Sequence, residues 1–180
     1  MNRSSPLPVV WLVRNVPQAG RRPSGRPERV WVRTATDADL AAWVQLQNEI
    51  LAERGSPRRW GEAECRRELT SRPWWSPERL LLACRPDDPA PLGCVAIEID
   101  SATASAQLHW LAVRPEARRR GVATRLLDEA ERRARSAGCR QLRAESLRQW
   151  TAAVSFYIAR GFREGREGAS ADHERRAGGQ

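Results

Sequence analysis

The sequence predicts a single α/β domain built on a mixed, mostly antiparallel central sheet flanked by helices. Three observations predict it. Short β-rich runs separated by turn residues cluster between Arg79 and Val113, the pattern of a meander. An amphipathic stretch from Val122 to about Ala137 then leads into another β-rich run, and a helical crossover makes the two strands it joins parallel. Finally, 180 residues are enough for one domain with a proper core and too few for two comfortable ones.

Residues 1–29 carry Pro6, Pro8, Pro17, Pro23 and Pro27 among Gly, Arg and Ser. They read as a flexible N-terminal extension with one strand-like patch at Val9–Val13. The domain is expected over 30–166, opening on a β-rich run at Val30–Arg33, with a polar tail over 167–180. Thr36-Asp37-Ala38-Asp39 resembles a capping box with Asp in the last position. The helix it opens has Leu40, Trp43, Val44, Ile50 and Leu51 on one face. A weaker helix is expected from about Gly61 to Ser71, between loops holding Trp60 and the Trp74-Trp75 pair. Strands at Arg79–Arg85 and Leu92–Asp100 form a hairpin about Pro86-Asp87-Asp88-Pro89, and Gln107–Val113 is the third strand of the meander.

The next helix repeats Val122, Leu126, Ala130 and Ala134 on its apolar side. Asp128–Arg132, Glu129–Arg133 and Glu131–Arg135 stand at i, i+4 on the other, and Gly138 is its natural cap. Cys139–Glu145 is the parallel strand. A last helix runs from about Trp150 to Arg160 and stops at Gly161, and only a strand remnant follows Phe162.

The 31 basic residues outweigh the 22 acidic ones by +9, and all of them are Arg. Without Lys, a lysine nucleophile or base is excluded. Charge spread this evenly does not mark a nucleic-acid face, so no nucleic-acid partner is expected. Cys65, Cys84, Cys94 and Cys139 lie far apart with no CxxC spacing, so no metal site is expected, and they suit small buried thiols in a reducing compartment. Cys84 and Cys94 facing each other across the hairpin is the alternative. The early apolar run Leu7–Val13 contains Pro8 and is too short to span a membrane. The expectation is a cytoplasmic protein without a membrane partner, with a homodimer left open.

The stretch Leu108–Leu127 runs from an alternating apolar strand through Arg118, Arg119, Arg120 and Gly121 into a helix start at Val122. Such a turn presents free backbone N–H groups and the positive end of a helix dipole, with arginines beside it, to a phosphate ester. Within it, Val113, Pro115, Arg118, Gly121 and Ala123 match the V-x-P and [RQ]-x-x-G-x-[GA] positions of the acetyl-CoA signature. Downstream, Ala153, Phe156-Tyr157 and Gly161-Phe162 match A-x-x-[LF]-Y-x-x-x-G-F. On these residues, and on element order from Val30 to Phe162, the chain resembles the GNAT-type N-acetyltransferases.

The resemblance implies an acyl-CoA N-acyltransferase-like fold and transfer of acetyl from acetyl-CoA to a primary amine. It implies that backbone N–H groups of Arg118, Arg119, Arg120, Gly121, Val122, Ala123 and Thr124 wrap the pyrophosphate. It further implies that the strands splay just beyond Val113 and that the pantetheine arm pairs with Leu111, Ala112 and Val113. Tyr157, the only tyrosine, stands where the family places the acid that protonates the departing thiolate. A core aromatic on the apolar stripe of its helix is the alternative.

His109 suits a general base at neutral pH, and alternation puts it on the face of Leu111 and Val113, opposite Leu108 and Trp110. A half-buried strand histidine is the other account of it. Glu98 or Asp100 acting through water are the substitutes, and His173 in the tail is set aside. One position departs from the family: Trp150 stands where Asn is usual, so its indole packs on the cofactor or joins the core. Trp60, Trp74 and Trp75, with Glu49, Glu53, Glu62 and Glu64, suit an aromatic or polycationic amine or a peptide N-terminus, and core packing explains the tryptophans equally well. Two rival functions are a non-catalytic CoA-binding module and an Arg-rich nucleic-acid binder.

Overall fold

A computed structural model describes residues 9–17 and 30–165. In chain order the elements are β1 (Val9–Asn15), β2 (Trp31–Thr34), α1 (Leu40–Glu53), α2 (Glu62–Cys65), β3 (Leu80–Arg85) and β4 (Asp88–Asp100). They continue with β5 (Ser105–Val113), α3 (Val122–Ser136), β6 (Gln141–Leu147), α4 (Thr151–Ala159) and β7 (Arg163–Gly165). The strands form one sheet in the order β2-β3-β4-β5-β6-β1-β7. The β5–β6 pair is parallel, as a crossover through α3 requires, and the other pairs are antiparallel.

The extension expected over 1–29 needs correction where it is described. Val9–Asn15 is a full strand wedged between β6 and β7, longer than the patch at Val9–Val13. Val10 and Leu12 are buried, and the chain's alternation explains why: one face of β1 closes the core while Val9 stays exposed. The strand also brings in Arg14, whose guanidinium pairs with Glu131 of α3 and donates to the Arg160 carbonyl. Residues 1–8 and 18–29, the 167–180 tail and His173 lie outside the described residues.

The sheet divides the core into two. On one face Leu126, Leu127, Ala130 and Ala134 of α3 pack on Leu81, Val95, Ile97 and Leu108, together with Tyr157 and Phe162. On the other, Trp43, Leu46 and Ile50 of α1 pack with Trp60, Cys65 and Leu69 on Leu80, Leu82, Cys94 and Ala96. Thr36 and Asp39 make the expected cap: the Thr36 N–H donates to Asp39 Oδ2 at 2.8 Å. Arg33 donates to both Asp39 oxygens, at 2.8 and 2.7 Å, and holds that carboxyl well below the usual carboxylate range. The second helix begins as α2 and finishes in a wider turn over Arg66–Thr70.

Only one of the three expected ladders on α3 forms as such, Glu129 with Arg133 at 3.0 Å. Glu129 also takes Arg132, because Asp128 is claimed by Arg160 and Glu131 by Arg14. Tertiary partners displaced the local ones. The hairpin turn is tighter than expected, with Arg85 paired directly to Asp88. All four cysteines are buried and free, which removes the Cys84–Cys94 alternative. Among the described residues no helix is long and apolar enough to cross a membrane.

Candidate active site

The site grows from an irregularity in β5. Cys94 pairs with Ala112 and Ala96 with His109, so Val95 alone faces both Trp110 and Leu111, a β-bulge. Trp110 takes the left-handed conformation, φ 52°. Its carbonyl accepts from the Cys94 thiol at 3.3 Å, and Gln47 of α1 donates to that sulfur at 3.3 Å. Complete burial pushes the Cys94 thiol up to about 12, so it stays a protonated donor.

The bulge corrects the expected facing of His109. Period-two alternation had placed it with Leu111 and Val113, opposite Trp110. With one residue inserted, His109 and Trp110 both face the α1 side, while Leu111 and Val113 pack on the α3 side. Trp74 stacks on the imidazole at 5.1 Å with an interplanar angle of 11°. Trp43, Trp60 and Trp110 meet edge to face beside it, with centroids 5.1 to 6.3 Å apart. His109 Nε2 lies 2.9 Å from Glu98 Oε2. An ionised carboxylate only accepts, so Nε2 donates and Nδ1 is left as the basic nitrogen.

Sequence reasoning found the tryptophans Trp60, Trp74 and Trp75 but missed Trp110 and Trp43. The four glutamates grouped with them turn away. Glu49 binds Arg114 at 2.7 Å, Glu53 binds Arg118, Glu62 binds Arg66 at 2.6 Å, and Glu64 caps the Gly61 N–H at 3.0 Å. Asp100 folds onto its own turn, accepting from Ala102 N–H at 2.9 Å and the Thr103 hydroxyl at 2.7 Å. Glu98 is the carboxylate left beside His109.

Next to the bulge the sheet opens. Parallel pairing of β5 and β6 ends at Leu108 with Ala144, well short of Val113 where the splay was expected. The bulge explains the early parting, since it bends β5 away from its neighbour. The far wall is held from outside, because Glu145, Ser146 and Leu147 pair with Trp11, Val10 and Val9 of β1. On the near wall, β4 approaches β5 closely through Gly93. A Cβ there would stand 2.7 Å from the Ala112 carbonyl and 3.1 Å from Val113 Cγ2.

From Val113 the chain passes through a short turn at Pro115–Ala117 to Arg119, φ 62°, and Gly121, φ 82°, before α3 begins. Arg125 makes the first intrahelical bond, to the Gly121 carbonyl at 3.0 Å. The N–H groups of Val122, Ala123 and Thr124 therefore stand at the open helix end, where an anion is favoured. The Arg118 side chain points elsewhere than expected. It grips both Glu53 oxygens, at 2.6 and 2.5 Å, and donates to the Val113 carbonyl at 3.1 Å.

Tyr157 lies on the opposite face of the sheet from His109. It is buried, edge to face with Phe162 at 5.1 Å and Phe156 at 5.6 Å, and burial pushes its phenol well above the ordinary tyrosine range. Trp150 is neither in the core nor free. Arg54, which follows α1, lies 3.8 Å over its ring. Burial, then the nearby Arg118 charge, lower the Arg54 guanidinium.

The same architecture is found in solved structures. A GCN5-related N-acetyltransferase from Sphaerobacter thermophilus superposes with a TM-score of 0.62 at 20% identity, covering 87% of this chain and 48% of its own. The ribosomal-protein-S18-alanine N-acetyltransferase of Escherichia coli gives 0.60 at 17% identity, over 76% and 79%. N-acetylglutamate synthase of Neisseria gonorrhoeae, solved with coenzyme A and N-acetyl-glutamate, gives 0.53 at 21% identity, over 72% and 28%. The chain thus spans about half of the first structure's length and little more than a quarter of the last one's. At these identities the likeness is one of fold. No curated protein matches the sequence. Residues 42–162 match the model of the Acetyltransferase (GNAT) family, and the chain belongs to that family.

Proposed function

We propose that the protein is an acetyl-CoA-dependent N-acetyltransferase in which a primary amine attacks the thioester directly within a ternary complex. The observation that carries this is the opening between β5 and β6. There the paired strands part beyond Leu108 and Ala144, with His109 on one face of the sheet and Tyr157 on the other, and the anion-binding start of α3 follows from the near wall. The free edge of Leu111, Ala112 and Val113 would receive the pantetheine arm as an added strand. The helix end at Gly121–Thr124 would receive the pyrophosphate, with Arg119 and Arg120 beside it. Bound there, acetyl-CoA supplies the activated acyl group.

The protein's own residues then move two protons. His109, with Glu98 fixing its tautomer, takes one from the amine at Nδ1. Nitrogen bonds to the carbonyl carbon, the carbon–sulfur bond breaks, and backbone N–H near Leu111 polarises the carbonyl oxygen. Tyr157 gives its proton to the sulfur. Burial keeps the phenol protonated and would raise a thiol in the same dry gap as well, so transfer between them stays feasible.

One motive for a non-catalytic module weakens, since β1 completes the sheet where the C-terminal strand is sparse. The test is a panel of amines and peptide N-termini with detection of released thiol. Release dependent on one class of amine is the expected result. Thermal stabilisation by acetyl-CoA with no release on any amine would favour the binding module instead.

A further inference from the structure

Trp150, the position that departs from the family pattern, follows closely on the end of β6. It is the N-cap of α4, and its N–H donates to the Leu147 carbonyl at 2.9 Å, so it hangs from the end of β6. Arg54 reaches it from the far end of α1, beside the turn that follows β5. The pair therefore bridges the ends of the two splayed strands.

The charges around it do not balance. Glu53 is occupied at both oxygens by Arg118, and Arg54, which lies within reach of the Glu53 charge, makes no ion pair of its own among the described residues and stacks on the Trp150 ring. Two neighbouring guanidiniums thus share one carboxylate, with Arg119 next along the same turn. What would complete such a cluster is an anion of more than one charge. Stacking suits Arg54 to receive it. An indole face orients the guanidinium plane without neutralising it and leaves its N–H edge available for in-plane bonds to phosphate oxygens.

We propose that Arg54 binds a phosphate of the CoA cosubstrate and that Trp150 is the residue that positions it. This rests on the acetyl-CoA reading above. It gives the tryptophan a purpose in place of the usual asparagine, and it adds a phosphate ligand from α1, outside the signature.

Calorimetric titration of the full chain tests it with three ligands: CoA, dephospho-CoA and pantetheine. Arg54→Ala should weaken CoA roughly 10-fold and leave pantetheine unchanged. Trp150→Ala should give part of the same loss, Trp150→Phe should recover it, and Arg54→Ala should cost less when added to Trp150→Ala than alone. Loss extending to dephospho-CoA assigns the contact to the diphosphate, and loss confined to CoA assigns it to the 3′-phosphate. Both outcomes support the proposal. An Arg54→Ala protein that binds CoA as the unmodified chain does, or that loses pantetheine equally, overturns it. If the unmodified chain binds no CoA at all, the acetyl-CoA reading falls and this proposal with it.

Discussion

The two faces of the sheet are built from different materials. The face under α3 and α4 is aliphatic, with Leu126, Leu127, Val95 and Ala144 closing around Tyr157. The face under α1 and α2 is rich in tryptophan, with Trp43, Trp60, Trp74 and Trp110 gathered beside His109. On the proposed function, the difference follows a division of labour. A cosubstrate held through backbone N–H groups and a strand edge needs a close-packed, shape-conserving support. An amine that must be selected and deprotonated needs aromatic walls, a base and a carboxylate. The bulge at Trp110 is the joint between them, because it alone turns His109 and Trp110 to the same side.

Breaking the aliphatic face should have the largest effect. Glu131→Ala breaks the buried Arg14–Glu131 ion pair and should cost roughly 3–5 kcal/mol in urea unfolding, because removing one member of a buried pair is expensive. Loss of less than about 1 kcal/mol would mean that β1 is not docked as described. Next comes Tyr157, the proposed proton donor. Tyr157→Phe should lower turnover roughly 100-fold with acetyl-CoA affinity unchanged, and unaltered turnover would make Tyr157 a core aromatic only.

On the other face, His109→Ala should lower turnover roughly 10-fold at neutral pH with acetyl-CoA affinity unchanged. Unaltered turnover places the base elsewhere. Smallest is Asp39→Asn at the start of α1, about 1 kcal/mol near neutral pH. Asp39 has its pKa lowered in the fold, so its contribution is present above the unfolded value near ~4 and fades as pH falls through the lower folded value. The gap between variant and parent in urea midpoints should therefore narrow in acid and stay constant from pH 6 to 8.

Much of the local structure on the proposed cosubstrate side was legible in the sequence because local rules govern it. Val113, Pro115, Gly121 and the period of α3 report a strand end, a turn and a helix start within a few residues of one another. The amine side was not. Nothing in the alternation from Leu108 to Val113 marks an extra residue at Trp110, since the register slip depends on Val95 of the neighbouring strand and on a thiol and an amide from β4 and α1. β1 was legible as a patch of β-rich residues but not as part of the sheet, since its neighbours β6 and β7 come more than a hundred residues later. The pairing of Arg118 with Glu53 and of Arg54 with Trp150 likewise depends on distant partners.

The measurement that bears most directly on the opening between β5 and β6 is amide hydrogen exchange with and without acetyl-CoA. The structure predicts new protection in two places, Leu111–Val113 on the free edge and Val122–Thr124 at the helix start. Glu145–Leu147, already paired to β1, should change little. Protection that misses both of the first two segments would contradict the opening as the seat of the thioester.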